Sequence, residues 1–249
     1  MSKPTNQVSN RLLIDLGNTR CKVAFANNRE VISVLSGDGA APLPFLQEAI
    51  KDQIFDIIVF SSVQRDNPLL RAFLQERARK LVVVDGDTPT VLRINYQTPD
   101  RLGADRLAAD VGAVVCHPGE DLLVIDFGTA ITFDYINKDR EFIGGNISLG
   151  MQMRFKALHH FTQGLPLIEP EPDEPIPPYG IDTRGNITAG VVQGIVHELE
   201  GYIAKNQDRK IIFTGGDAIF FAKQLKTPIF VDYNLIFTGL FEIAEGYAA

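Results

Sequence analysis

The amino-acid sequence predicts an α/β fold built twice over, and three observations predict it. Two segments, LLIDLGNTRCKVAF from Leu12 and LVIDFGTAITFDYI from Leu123, share one layout. Each has an apolar run, Asp, an apolar residue, Gly, a hydroxyl or amide residue, and a second alternating run. Each also opens a series of three short strand-like runs joined by turn chemistry, as in an antiparallel meander. Finally, continuous apolar runs such as DIIVFS, Asp56–Ser61, and LVVVD, Leu81–Asp85, read as strands buried on both faces and linked by helices.

The first meander is expected over Arg11–Leu16, Cys21–Ala26 and Glu30–Leu35, with turns at Gly17-Asn18 and Asn27-Asn28. A helix near Pro44–Lys51 follows, with apolar Phe45, Leu46, Ala49 and Ile50 on one side. A second helix, about Asn67–Arg79, has Pro68 at its first position, where the missing N–H costs nothing. The basic run Arg77-Ala-Arg79-Lys80 is expected to end this helix, where cations complement the dipole. Another helix opens at Gly103. The second meander is expected over Leu122–Ile125, Ile131–Ile136 and Glu141–Ile147. Helices near Gly150–Thr162 and Asn186–Lys205, a strand over Ile211–Thr214, a helix after Gly216, a short strand near Ile229–Val231 and a last helix to Gly246 complete the order. Leu165–Tyr179 is Pro-rich and acidic, a stiff extended loop, read either as a surface connector or as an arm reaching a partner subunit.

This order divides the 249 residues into a polar tail over 1–10, an N-terminal lobe over 11–117 and a C-terminal lobe over 118–249. With 45% hydrophobic and 22% charged residues the chain can bury a core. A net charge of −7 argues against nucleic acid as the main partner, because phosphate backbones need clustered Lys and Arg. No apolar run approaches the ~20 residues that span a bilayer, so no membrane role is expected. Cys21 and Cys116 lack metal-ligand spacing and read as free thiols of a reducing, cytoplasmic compartment.

The repeated turn carries the chemistry. A hairpin that turns on Gly lets backbone approach a ligand and aim N–H groups at phosphate oxygens. Asn18 and Thr19 add neutral donors and Lys22 a positive charge. Asp15 would repel a phosphate by about 4 kcal/mol at ~4 Å and an effective dielectric near 20. A cation bridging carboxylate and phosphate reverses that sign, so the two Asp turns point to a metal–nucleotide polyphosphate held in a central cleft between lobes. The plainer reading, that D-x-G only ends a hairpin, holds for one copy better than for two. Neither a Walker motif nor G-x-G-x-x-G is present. Gly103-Ala104-Asp105-Arg106 opens a helix whose N–H groups and dipole favour anions; they would keep Asp105 ionised, and Arg106 offers a fork for a substrate carboxylate. Capping plus a surface ion pair is the plainer account of these two. His159-His160 are adjacent and share no face, and His197-Glu198 lacks a second metal-spaced His.

Together the motifs DLGNTxxK (Asp15–Lys22), LGADR (Leu102–Arg106), DFGTAxTFD (Asp126–Asp134), Gly144-Gly145, GxxT (Gly180–Thr183) and TGGD (Thr214–Asp217) resemble those of type III pantothenate kinases. The resemblance implies the duplicated actin-like, ribonuclease H-like fold of the acetate and sugar kinase/Hsp70/actin superfamily. It implies ATP-dependent phosphorylation of pantothenate, the first step of coenzyme A synthesis, by a homodimer that needs Mg²⁺ with its ATP and a monovalent cation, K⁺ or NH₄⁺. Carried over by motif, Asp15, Leu16, Gly17, Asn18, Thr19 and Lys22 would hold the ATP phosphates and Mg²⁺, and Thr129 would contact ATP. Asp105 would be the catalytic base. Tyr96, Gly103, Ala104 and Arg106 would line the pantothenate site, Asp126 would bind the monovalent cation, and Thr183 would reach substrate across the dimer. The chain departs from the family pattern at Leu149, where Pro is usual, and at Ala189, where Ser is usual. Competing readings are a sugar or polyphosphate kinase of the same superfamily, a non-catalytic nucleotide-binding regulator, and a filament-forming actin relative.

Overall fold

Strand β1, Arg11–Leu16, pairs antiparallel with β2, Arg20–Ala26, and parallel with β4, Phe55–Ser62. With β3, Val31–Asp38, and β5, Ala78–Val84, they form a sheet of order β3-β2-β1-β4-β5. This structure, a computed structural model, describes residues 10–28, 30–169 and 176–248. The polar tail expected over 1–10 lies, Asn10 apart, outside the described residues, and so do residues 170–175 of the Pro-rich segment.

Helices α1, Pro42–Ile50, and α2, Pro68–Arg77, cover one face of this sheet. Their Leu46, Ile50, Leu70 and Leu74 pack on Leu12, Ile14, Ile58 and Phe60. The strands alternate in side-chain direction, so Leu13, Asp15, Val59 and Ser61 lie on the opposite face. Helices α3, Ala104–Cys116, and α7, Leu235–Ala248, pack with β4 and with each other there. Asn67 caps α2 by accepting from the Leu70 N–H at 3.2 Å.

The basic run corrects the helical expectation. Arg77 ends α2, but Ala78, Arg79 and Lys80 begin β5, where Ala78 and Lys80 are in register with Phe55 and Ile57. Arg79 pairs with Asp56 at 3.0 Å, and Lys80 donates to the Tyr247 carbonyl at 2.6 Å. Strand pairing and these two partners outweigh the local helix signal.

The meander recurs as β7, Leu122–Phe127, β8, Ala130–Ile136, and β9, Glu141–Leu149. Adding β10, Lys210–Gly215, and β11, Phe230–Val231, gives the order β9-β8-β7-β10-β11, the arrangement of the first sheet repeated. A two-residue strand, β6, Arg93–Ile94, joins this sheet beside Glu141-Phe142. Helices α4, Met151–His160, α5, Thr183–Lys205, and α6, Ala218–Gln224, complete the chain. Phe127, Phe133, Phe155, Ile195 and Phe213 form the core here.

Among the described residues two compact units result: residues 10–119, 138–143 and 234–248 form the first, and 120–137 and 144–233 the second. At the C-terminal end this differs from a single division near 117, because α7 packs on α3. Gly239 and Gly112 make that crossing possible: a Cβ on Gly239 would lie 1.8 Å from the Ala108 carbonyl oxygen, and one on Gly112 would lie 2.1 Å from that of Leu235. Among the described residues, no helix is long and apolar enough to cross a membrane.

Candidate active site

The first Asp turn is a backbone construction. The Gly17 N–H donates to the Arg20 carbonyl at 2.9 Å, closing the hairpin. The Gly39 N–H, just beyond β3, donates to the Thr19 carbonyl at 3.0 Å. Gly39 must be glycine, since a Cβ there would sit 2.7 Å from the Arg20 nitrogen and 2.9 Å from the Gly17 oxygen. The second turn repeats the device. Gly128 donates to the Ala130 carbonyl at 3.0 Å, and Gly150, just beyond β9, donates to Thr129 at 3.2 Å. A Cβ on Gly150 would meet the Thr129 oxygen at 2.3 Å. Both turns are therefore pinned by a glycine that follows the third strand, and the sequence duplication is a duplication of this brace.

In the first unit, Asp15 lies directly opposite Lys22 across the β1–β2 pair and beside Ser61 on β4. Burial pushes its carboxyl up to about 6; Lys22 pulls against that rise and the charge of Asp105 adds to it. The two carboxylates are thus electrostatic neighbours, contributed by a strand end and a helix start. Leu16 is buried, while Asn18 and Thr19 are exposed at the turn.

Asp105 occupies the first turn of α3, and its Oδ1 accepts from the Arg106 N–H at 2.8 Å. Gly103 makes room for it, because a Cβ there would approach that Oδ1 to 2.6 Å. The helix start was expected to hold Asp105 ionised. Burial instead raises its carboxyl above the ordinary value, against the pull of the Arg106 backbone bond and guanidinium. Desolvation outweighs the helix terminus, and the result is a better proton acceptor.

Arg106 is buried rather than a surface residue, and its guanidinium stacks on the Phe142 ring at 5.6 Å. Tyr96 meets the same ring edge-on, with centroids 5.7 Å apart. Phe142 is fully buried and also accepts, through its carbonyl, from the Asn95 N–H at 3.0 Å. It therefore ties together two predicted substrate residues, Tyr96 and Arg106, and sequence reasoning missed it. Ala104, the first residue of α3, is buried beside them.

In the second unit, Asp126 is in register with Thr214 at the end of β10. Gly215 closes on it with φ +92°, and a Cβ there would fall 2.3 Å from the Asp126 Oδ1. Thr129 sits in the second turn with Gly150 packed on its carbonyl. Thr183 opens α5, whose N-cap Asp182 accepts from Gly185 at 2.7 Å. It also edges a cavity of about 800 Å³ between α4 and α5, with Leu149, Phe161, Asn186 and Val191.

No cluster of three or more His, Cys, Asp or Glu side chains suited to a metal occurs among the described residues. Asp15 alone still fits a hard divalent ion, which binds through one or two carboxylates, water and substrate phosphates. The carboxylate of Asp126 likewise offers the hard oxygen that a monovalent ion takes.

The family model of type III pantothenate kinases matches residues 11–205 of the chain. The type III pantothenate kinase of Porphyromonas gingivalis strain W83 is 40% identical over 245 residues, covering 96% of this chain and 99% of that one. Among solved structures, a candidate Baf-family transcriptional activator from Campylobacter jejuni superposes with a TM-score of 0.62 at 25% identity, covering 95% of this chain and 98% of that one. MreB 5 of Spiroplasma citri bound to AMPPNP gives 0.53 at 9% identity, covering 97% and 98%. The fold is accordingly the actin-like one that these structures share.

Proposed function

The chain belongs to the type III pantothenate kinase family, and from that premise we propose which of its residues carry the reaction. It catalyses ATP-dependent phosphorylation of pantothenate to 4′-phosphopantothenate, the first step of coenzyme A biosynthesis. The observation that carries the assignment is the meeting of Asp15, Asp105 and Arg106 in one unit, with both carboxyls raised by burial.

Asp105 holds the pantothenate hydroxyl and accepts its proton. The hydroxyl oxygen forms the new bond to the γ-phosphorus as the bond from phosphorus to the bridging oxygen breaks, and ADP leaves. The transition state is loose, so alignment matters more than early deprotonation, and the proton moves late. Arg106, fixed by Phe142, pairs with the pantothenate carboxylate through its fork. Gly103, Ala104 and Tyr96 line the substrate beside it. Leu16 to Thr19 and Lys22 cradle the ATP phosphates, and Thr129 contacts ATP.

Asp15 would hold Mg²⁺ and Asp126 a monovalent cation, K⁺ or NH₄⁺. When bound, these ions neutralise phosphate charge. We further propose a homodimer, with Thr183 reaching the substrate of the other copy. The apolar cavity beside Thr183, and the exposure of Phe161 (81%) and Ile181 (94%), support that reading. The enzyme would act in the cytoplasm, where ATP is supplied.

The test is phosphorylation of pantothenate by the purified protein with ATP and Mg²⁺, in K⁺ or in tetramethylammonium. Turnover that requires K⁺ supports the whole assignment. Turnover indifferent to K⁺ removes the role of Asp126 alone. A folded protein that binds ATP and phosphorylates nothing in either salt overturns the kinase assignment.

A further inference from the structure

Gln64 lies two residues past β4, outside every motif singled out in the sequence. Its side-chain Nε2 donates to the Gly17 carbonyl at 2.8 Å and to the Gly39 carbonyl at 2.9 Å. Both amide hydrogens are thereby used on backbone oxygens. The two acceptors belong to the Asp15–Thr19 turn and to the glycine that braces it, so one side chain rivets two otherwise separate loops. The segment carrying Gln64 is held in turn: the Val63 N–H donates to the Leu16 carbonyl at 3.2 Å, and the Gln64 N–H to the Ser62 Oγ at 3.1 Å. The second Asp turn has Gly215 pressed against Asp126 at the equivalent strand end.

We infer that Gln64 is a positioning residue for nucleotide binding: by holding the Gly17 carbonyl inward, it aims the Asn18 N–H outward at a phosphate oxygen. The argument is one of peptide geometry. In a planar trans peptide the carbonyl of Gly17 and the N–H of Asn18 point in opposite directions. Fixing one fixes the other. Gly17 makes the peptide easy to turn over, since glycine tolerates both senses of φ. Without the Gln64 donor, the Gly17 carbonyl is free to rotate towards the ligand, where an oxygen would face phosphate and repel it. Asn18 is exposed at the tip of the turn, as such a contact requires.

This inference rests on the reading of Asp15–Thr19 as the phosphate turn, and the experiment separates the two. ATP affinity is measured by calorimetry in excess EDTA and again with Mg²⁺, alongside Tm and the KM values for ATP and pantothenate. Gln64→Leu, which keeps bulk and removes both donors, should weaken ATP binding about 10-fold in both conditions, as the loss of one to two neutral hydrogen bonds predicts. KM for pantothenate should stay within 2-fold by the same reasoning, because Arg106 and Tyr96 are untouched. Gln64→Glu serves if the Leu variant does not fold. As a carboxylate it sets oxygen against two carbonyls; protonated, it regains one donor. Its ATP affinity relative to the unsubstituted protein should therefore recover as pH falls from about 8 to about 5. Unchanged ATP affinity in a folded Leu variant, or a Glu variant that tracks the unsubstituted protein across that pH range, overturns the role of Gln64. Failure of the unsubstituted protein to bind ATP overturns the phosphate-turn reading and this inference with it.

Discussion

Asp15 and Lys22 face each other across the first hairpin as a register pair, yet the carboxyl of Asp15 is raised to about 6. Burial outweighs the opposed ammonium, so the ligand-free protein holds a carboxylate at a cost. The folded value lies above the unfolded one of 3.8, which fixes the sign. The contribution of Asp15 to stability is fully present below about 3.8 and is lost as pH rises through about 6. Asp15→Asn removes the titration. Without ligand, the Asn variant should gain on the unsubstituted protein between pH 4 and 8, by about 3 kcal/mol in all for a rise of roughly two pH units. Tm measured for both proteins across that range checks it. A difference that stays flat with pH would show that Asp15 is not buried as described. With Mg²⁺ and ATP present the order should reverse, because only the carboxylate can share the ion with the phosphates.

Asp105→Asn keeps the shape of the α3 start and removes the proton acceptor. Turnover should fall by roughly 10²–10⁴-fold, the usual worth of a positioned general base. ATP affinity should hold or improve slightly, since the variant also deletes a charge that acts on Asp15. Single-turnover kinetics with calorimetric ATP binding separates the two effects. Near-normal turnover would refute the role of Asp105 as base.

The guanidinium of Arg106 stacks on the Phe142 ring. Arg106→Lys retains the charge and loses the planar fork and the stacking face. KM for pantothenate should rise about 10- to 100-fold, as loss of a charge-assisted hydrogen bond predicts, with KM for ATP little changed. Phe142→Leu should reproduce a milder form of the same defect while leaving both charges in place. An Arg106→Lys enzyme with unaltered KM for pantothenate would remove Arg106 from the carboxylate site.

Much of the architecture was legible because both repeats obey short-range rules. Alternation, buried apolar runs and turn residues located the meanders to within a few residues, and duplication of the Asp turn singled out the residues proposed to carry the chemistry. What stayed hidden depends on contacts between distant segments. Nothing near Phe142 says that a ring in β9 will carry both Tyr96 and Arg106, because the link runs through β6, too short to leave a pattern. Gln64 stands in a polar stretch that reads as an ordinary loop, and only the approach of Gly17 and Gly39 gives its amide two acceptors. The Arg79-Lys80 pair followed the rule for helix ends until β4 claimed it as an edge partner. The rise of the Asp105 carboxyl has the same origin: a helix start favours the anion locally, and burial by the fold opposes it.

The α3–α7 crossing gives the last prediction, and it joins packing to catalysis. Gly239 meets the Ala108 carbonyl so closely that a methyl group would overlap backbone, which cannot move aside as a side chain can. Gly239→Ala must therefore push α7 away from α3, the helix that carries Asp105 and Arg106. Overpacking of this kind costs about 1–3 kcal/mol, and each kcal/mol shifts Tm by about 2–4 °C in a chain of this size, so a fall of roughly 2–12 °C is expected. Turnover should fall as well, since the Asp105 carboxyl moves with its helix. Gly246→Ala on the same α7 is the control, because nothing lies within 4 Å of the Cβ it adds. That variant should be neutral or more stable by up to about 1 kcal/mol through helix propensity. Equal Tm changes in the two variants would mean that the close crossing is not what seats α3.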